Sequence, residues 1–207
     1  MSLTLFHSPG TRSIRARWLL EEMALPYELK SIGYDGKYFA SDEFKTINPM
    51  GKVPALYDGD TLIVESTAIM EYLLQRFGPS PLSVAPDDEE YAAYLQWFHM
   101  AESGMASYIA VSFGNTFNID PYKVSDGYDA YCRFQIDKAL GMLETQLQDR
   151  DYLLKSGFSA ADISLGYTLF FAKSCIGTVF TGLVSDYFKR IMSRPAAQIT
   201  MSDLKKT

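Results

Sequence analysis

The stretch that decides the fold of the first part of the chain is Asn48-Pro49-Met50-Gly51-Lys52-Val53-Pro54-Ala55-Leu56. Proline cannot donate a hydrogen bond to a sheet, so Pro54 belongs at an edge, a bulge or a cis turn. The apolar pair after it and the turn Tyr57-Asp58-Gly59-Asp60 predict a short hairpin entered through a cis Val53–Pro54 bond. Such a turn leaves the backbone of Val53 unpaired, so that it can bind an extended peptide as an added strand.

Glu65 and Ser66 follow this hairpin at the point where a strand gives way to a helix. A carboxylate and a helix N-terminus lie together there, close in sequence to the unpaired backbone of Val53. This combination of groups suits a small peptide ligand that carries a free amino acid end.

Residues 1–78 have the pattern β-α-β-α-β-β-α, which predicts a compact α/β module. The expected elements are a strand at 3–6, a helix from 11 or 12 to about 23, a strand at 27–32, a loop with one short helix at 33–47, the hairpin 55–57 and 61–64, and a helix from 66 to about 77. Residues 79–87 form a polar linker that is rich in proline. Residues 88–207 are interpreted as an all-α domain whose last helix ends near Arg194-Pro195.

Composition excludes several classes of protein. The chain has 207 residues, 47% hydrophobic and 21% charged, and a net charge of −6, which disfavours a nucleic-acid binder. The two cysteines suggest a reducing compartment, and the N-terminus lacks the features of a signal peptide. The apolar segment 163–180 is broken by polar residues, which favours a buried helix over a membrane span. We therefore expect a cytoplasmic protein that has no metal site, because His7 and His99 lack ligand spacing.

Four stretches together resemble the glutathione transferase family, in its soluble, bacterial-type form. They are Ser8-Pro9-Gly10-Thr11-Arg12-Ser13, residues 48–56, Glu65-Ser66-Thr67-Ala68-Ile69 with Tyr72-Leu73, and Ser159-Ala160-Ala161-Asp162-Ile163. The resemblance implies a thioredoxin-like α/β N-terminal domain, 1–78, and an all-α C-terminal domain, 88–207. It also implies glutathione as cosubstrate and a homodimer.

The resemblance assigns glutathione-binding roles to the residues around the proline turn. Val53, before the cis Pro54, would pair its backbone with the cysteinyl part of glutathione, and Glu65 and Ser66 would hold the γ-glutamyl end. The chemistry agrees, because the ammonium needs a carboxylate and the carboxylate needs N–H donors at a helix start. Lys52 is the adjacent candidate cation for the glycyl carboxylate, and Lys37, in the loop 33–47, is a second candidate.

The group that activates the thiol is left open among three catalytic candidates. Related classes use Tyr, Ser or Cys in the loop after the first strand, and this loop contains neither tyrosine nor cysteine. Alignment on the first strand selects Thr11, whereas alignment on Leu20-Glu21-Glu22 selects Arg12 with Ser13 beside it. We favour Ser13 and Thr11 as hydroxyl donors and Arg12 as an electrostatic helper. Both a serine/threonine class and a beta-like class are compatible with this loop.

The second substrate is expected to be a small hydrophobic electrophile. The walls of its pocket would include His7, Tyr38, Tyr108 and Phe113, which are mainly apolar with a few polar tips. The predicted reaction is attack of the glutathione thiolate on that electrophile, with peroxide reduction as a further activity. The alternatives are a non-enzymatic glutathione-binding or protein-interaction module, and a glutathione-dependent isomerase or dehalogenase. No nucleic-acid or membrane partner is expected.

Overall fold

Four short strands form one mixed sheet in the first part of the computed structural model, which describes residues 2–33, 36–119 and 123–205. The strands are β1 (Leu3–His7), β2 (Tyr27–Ser31), β3 (Ala55–Asp58) and β4 (Thr61–Val64), in the spatial order β2-β1-β3-β4. β1 runs parallel to β2 and antiparallel to β3, and β3 and β4 form an antiparallel hairpin. The hairpin and the cis Val53–Pro54 bond that precedes it confirm the prediction from the proline turn.

The helices follow in chain order. They are α1 (Ser13–Glu22), α2 (Gly36–Phe39), α3 (Asp42–Ile47), α4 (Ser66–Arg76), α5 (Tyr91–Met100), α6 (Ser107–Thr116), α7 (Asp126–Gln146), α8 (Ala160–Ile176), α9 (Gly182–Met192) and α10 (Pro195–Met201). A π-helical segment, Ala101–Ala106, joins α5 to α6, and a short 3₁₀ helix, Ser202–Lys205, follows α10. None of the described helices is long and apolar enough to cross a membrane.

The chain divides into two units, residues 1–83 with 193–207 and residues 84–192. In the first unit, α1 packs on β1 and α4 packs on both α1 and β4. The buried face of α1 includes Ile14, Trp18 and Leu19, which follow the helical spacing seen in the sequence. In β1, Leu3, Leu5 and His7 point inward, because alternate residues of a strand face the same side.

Residues 193–207 belong to the first unit, which differs from their predicted place in the helical domain. The sequence interpretation takes Pro195 as the end of the last helix, whereas the structure shows it at the first turn of α10. Proline both ends helices and begins them, because the first turn needs no N–H donor at that position. Arg194 donates two hydrogen bonds of 2.7 and 2.8 Å to the carboxylate of Glu22, which attaches α10 to α1.

Two short helices, α2 and α3, lie in the segment where one is predicted. Ser41 separates them, and its hydroxyl accepts from Phe44 N at 3.1 Å to cap α3. The same hydroxyl donates to the Tyr38 carbonyl at 2.7 Å. One serine therefore ends the first helix and begins the second, a double role that the sequence pattern does not reveal.

The second unit is helical, and α8 packs against α5, α6 and α9. A π-helical segment leaves carbonyl groups without their ordinary partners in the α-helical ladder. Ser164 and Thr168, one turn apart on α8, donate to the carbonyls of Phe98 and Ala101 at 2.8 and 3.0 Å. These two hydroxyls stabilise the junction between α5 and the π-helical segment.

Asp162 lies in the first turn of α8, where it forms a capping box with Ser159. Its carboxylate accepts from Leu153 N at 3.0 Å, from Ser159 N at 2.8 Å and from Tyr187 Oη at 3.0 Å, and the Ser159 hydroxyl lies 3.1 Å away. Burial nonetheless raises the pKa of Asp162 to about 6, while these hydrogen bonds oppose the shift. Burial, with a smaller contribution from the charge of Asp162, raises the pKa of Tyr187 well above its usual value.

We expect Asp162→Ala to lower the free energy of unfolding by about 3 kcal/mol or more, because it leaves several buried donors without an acceptor. Chemical denaturation followed by circular dichroism measures this loss. Asp137→Ala, at an exposed site on α7, is the matched control and should change stability by less than about 0.5 kcal/mol. A loss at Asp162 no larger than that of the control would contradict the structural role of this carboxylate.

Candidate functional site

Three segments singled out from the sequence meet at one end of the sheet. β1 pairs with β3 so that Phe6 lies opposite Ala55, and the loop 8–13 leaves β1 at this end. Ala55 also lies opposite Val64, which brings Val53 and Glu65 to the same end of the hairpin. Strand pairing therefore gathers the loop, the proline turn and the start of α4 into one candidate site.

Asn48 closes the turn that precedes the cis proline. Its side-chain amide donates to the Lys52 carbonyl at 2.6 Å, and its side-chain oxygen accepts from Met50 N at 3.0 Å. Gly51 occupies the left-handed region with φ of +61°, and a Cβ atom there would lie 2.5 Å from the Phe39 carbonyl oxygen. The turn thus needs both an asparagine that bridges it and a residue without a side chain.

Val53 lies between this turn and β3 with its backbone outside the sheet. Within the described residues, neither its N–H nor its carbonyl group forms a hydrogen bond. Pro54 is buried, and Lys52 is exposed beside the turn. The unpaired backbone at Val53 is the geometry that the sequence predicts for pairing with an extended ligand.

Glu65 and Ser66 occupy the junction between β4 and α4, as predicted. Glu65 is exposed and has φ of +71° and ψ of +119°, a sparsely populated conformation for a residue with a side chain. Ser66 is buried, and its hydroxyl accepts from Nη1 of Arg15 at 3.1 Å. Arg15 itself is fully buried on α1.

Ser13 lies inside the loop after β1, where its hydroxyl holds the loop together. Its Oγ accepts from Ser8 N at 3.1 Å and lies 2.8 Å from His7 Nδ1 and 2.7 Å from Thr11 Oγ1. A hydroxyl offers one donor and two acceptor positions, and these neighbours fill them. Ser13 is also fully buried. The geometry therefore disagrees with Ser13 as a direct donor to a ligand thiol.

Thr11 and Arg12 are half-buried at the start of α1. Thr11 Oγ1 donates to the Ser8 carbonyl at 2.7 Å, so its hydroxyl also helps to hold the loop. Arg12 is the residue that precedes the first turn of α1, where backbone N–H groups and the helix dipole create positive potential. Of the three catalytic candidates, these two retain surface at the open end of the sheet.

His7 is fully buried below this loop, which differs from its predicted place in the wall of an open pocket. It falls on the inward face of β1, so its ring contacts the protein interior. Burial, with a smaller contribution from the positive charge of Arg17, lowers the pKa of His7 to about 4. Its Nε2 is buried and has no hydrogen-bond partner among the residues that the structure describes.

The aromatic candidates lie in separate clusters within each unit. Tyr38 packs against Phe44 with ring centroids 5.4 Å apart in the first unit. In the second unit, Tyr108 contacts Tyr131 edge to face at 6.1 Å, and Phe113 lies 4.8 Å from Phe117. Phe44 is fully buried, whereas the three candidates Tyr38, Tyr108 and Phe113 are half-buried.

Both cysteines are free and lie in the second unit, on α7 and α8. Burial raises the pKa of the thiols of Cys132 and Cys175. Neither is therefore a thiolate at neutral pH, and the loop 8–13 contains no cysteine. No group of three or more His, Cys, Asp or Glu residues suited to a metal occurs in the described ranges.

Two residues of the site escape the sequence interpretation. The sequence interpretation considers neither the burial of Arg15 nor the role of Asn48 in closing the turn. The asparagine before Pro49 and Gly51 is a recognisable signal, because Asn commonly bonds to the backbone of its own turn. Burial of Arg15 has no local signal, because it depends on packing against α4.

Comparison with known proteins identifies the family. The family model for the N-terminal domain of glutathione S-transferases matches residues 1–75, and the model for the C-terminal domain matches residues 132–192. Glutathione S-transferase 2 of Schizosaccharomyces pombe is 31% identical over 163 residues, which cover 76% of this chain and 70% of that protein. The chain belongs to the glutathione S-transferase family. The predicted fold class and the predicted glutathione transferase function, with glutathione as cosubstrate, are thereby confirmed.

Other members of the family match along nearly their whole length. Glutathione S-transferase GstA of Escherichia coli O157:H7 is 26% identical over 204 residues, which cover 97% of this chain and 98% of that protein. The crystal structure of the glutathione transferase URE2P6 from Phanerochaete chrysosporium, in complex with oxidised glutathione, superposes with a TM-score of 0.83 at 26% identity. That match covers 99% of this transferase and 96% of the URE2P6 chain.

We expect Gly51→Ala to destabilise the protein by more than Gly59→Ala. Both glycines have positive φ, but a Cβ at Gly59 meets no atom within 4 Å, whereas one at Gly51 meets the Phe39 carbonyl. Gly59→Ala should cost about 1 to 2 kcal/mol for its backbone conformation alone. Gly51→Ala should cost at least about 1 kcal/mol more, measured by urea denaturation. Equal losses in the two variants would show that the close approach at Gly51 has no effect.

We expect His7 to make stability depend on pH between about 6.5 and 4. In this range the unfolded chain binds a proton at His7 and the folded chain does not, so stability falls as the pH falls. The contribution amounts to about 3 kcal/mol. Between pH 6.5 and 4, denaturation should show that the wild type loses about 3 kcal/mol more stability than His7→Asn, which lacks the titrating group. The same substitution at the exposed His99 is the control and should follow the wild-type slope.

Proposed function

We propose that this transferase binds glutathione along the open end of the sheet and activates its thiol at the start of α1. The observation that carries the proposal is the unpaired backbone of Val53, which lies at the same sheet end as Glu65 and the loop 8–13. An extended cysteinyl backbone would pair with Val53 as an added strand. The cis Pro54 would hold that backbone at the sheet end.

The charges of glutathione match the charges around this backbone. The γ-glutamyl ammonium would pair with Glu65, whose carboxylate is exposed, and the γ-glutamyl carboxylate would accept from Ser66 at the N-terminus of α4. Lys52, exposed on the turn, would pair with the glycyl carboxylate. Each charged end of the tripeptide then has one complementary group.

Activation of the thiol requires preferential stabilisation of the thiolate. A free thiol has a pKa of about 8.5, and lowering it by two units takes about 2.7 kcal/mol. The Arg12 guanidinium, the N-terminus of α1 and the Thr11 hydroxyl together would supply an interaction of this size. Ser13, bonded to His7 and Thr11, would position the loop without touching the thiol.

The thiolate would attack a small hydrophobic electrophile, or reduce a peroxide. Aromatic side chains, such as Tyr38 in the first unit, would contribute a wall for this substrate. With no cysteine in the loop, a mixed disulfide with the protein is not part of the proposed reaction. We further propose a homodimer in the cytoplasm, testable by sedimentation and by localisation of the tagged full chain.

Glutathione binding and turnover test this function together. Glutathione at ten times its dissociation constant should add about 1.4 kcal/mol of stability, visible as a rise in melting temperature. Turnover is measured with 1-chloro-2,4-dinitrobenzene and with a hydroperoxide. Binding without turnover on any electrophile would instead indicate a glutathione-binding module, and no binding at millimolar glutathione would contradict both functions.

Single substitutions in the loop then separate the three catalytic candidates. Thr11→Ala and Arg12→Ala should each raise the pKa of the bound thiol by about one unit, because each removes stabilisation of the thiolate. The ultraviolet absorbance of bound thiolate, titrated against pH, measures this change. Ser13→Ala should mainly lower the melting temperature, and Arg133→Ala on α7 is the control. A higher thiol pKa in Ser13→Ala at unchanged stability would make Ser13 the activator.

A further inference from the structure

Arg15 provides a buried positive charge behind the start of α4. Its side chain is fully buried between α1 and α4, which pack against each other. Nη1 donates to Oγ of Ser66 at 3.1 Å, and Ser66 is only 4% exposed. The guanidinium therefore lies on the buried side of the hydroxyl of Ser66, the first residue of α4.

The hydrogen bond from Arg15 fixes what the Ser66 hydroxyl can do. Because Oγ already accepts from the guanidinium, its own hydrogen remains to be donated. Among the described residues, no acceptor for that hydrogen is present. The backbone N–H groups of the first turn of α4 also have no partner within the helix. The Ser66 hydroxyl is thus oriented to donate its hydrogen to an anion, and the hydrogen bond from Arg15 maintains this orientation.

We infer that Arg15 is a positioning residue that makes the Ser66 subsite selective for a carboxylate. This inference rests on the proposed function, in which that carboxylate belongs to the γ-glutamyl end of glutathione. A carboxylate that accepts from Ser66 would lie about 5 to 6 Å from the guanidinium. Arg15 acts through Ser66 and does not itself touch the ligand.

The test compares two ligands that differ only in this carboxylate. One is glutathione, and the other is 4-aminobutanoyl-cysteinylglycine, which lacks the α-carboxylate of the γ-glutamyl group. Dissociation constants are measured by calorimetry for the wild type and Arg15→Gln. We expect Arg15→Gln to weaken glutathione binding by about 10- to 100-fold and binding of the analogue by less than about threefold. Equal losses for the two ligands would overturn the role of Arg15.

Further variants separate positioning from folding. Arg76→Gln removes an arginine from the exposed last turn of the same helix, α4, and should leave both dissociation constants unchanged. In a Ser66→Ala background, Arg15→Gln should add less than about threefold to the loss for glutathione, because the intermediary is gone. If Arg15→Gln does not fold, Arg15→Lys takes its place, and equal weakening of both ligands there overturns the inference.

The wild type alone separates this inference from the proposed function. If glutathione does not bind at millimolar concentration, the proposed function fails. If glutathione binds but the analogue binds within about threefold of it, the function stands and the carboxylate-selective subsite behind Arg15 is overturned. Binding of glutathione at least tenfold tighter than the analogue is the result that we expect.

Discussion

The pairing of β3 with both β1 and β4 is the constraint on which the candidate site depends. Each pairing is antiparallel, so the residue before β3, the residue after β1 and the residue after β4 emerge at one sheet end. The turn 48–52 then determines where Val53 enters, and Asn48 and Gly51 determine the shape of that turn. Backbone geometry, more than any single side chain, brings the site together.

The polar and charged groups of the candidate site in the first unit form two layers, one buried and one exposed. Arg15 and His7 are both fully buried, and each bonds to a serine that is itself buried, Ser66 or Ser13. The groups with surface left for a ligand, such as Glu65, lie one layer farther out. The buried layer orients hydroxyls and holds loops, so that the outer groups need little rearrangement when a ligand binds.

The residue types in the turns make much of this fold predictable from the sequence. The burial of a side chain is predictable only where apolar residues recur at the spacing of a helix or a strand. The cis Pro54 and the hairpin follow from residues within ten positions of one another, and the structure confirms both. The prediction that the last helix ends near Pro195 is wrong, because proline occurs both after the end of a helix and at its first turn. Ser13 and Arg15 have ordinary polar sequences around them, and their burial is decided by segments that lie elsewhere in the chain. The shape of the proline turn is therefore easier to anticipate from the sequence than the burial of Ser13 and Arg15 on α1.

The attachment of α10 to α1 affects the order in which the protein can be built. Two residues of α1 have partners near the end of the chain. The Glu22 carboxylate accepts hydrogen bonds from Arg194, and Arg17 forms an ion pair with Asp203, which follows α10. The whole second unit lies between these partners in the chain. During synthesis, the ribosome must therefore complete the helical unit before α1 can form its contacts with Arg194 and Asp203. The first unit begins to be synthesised before the second, but its last segment, residues 193–207, is synthesised after it.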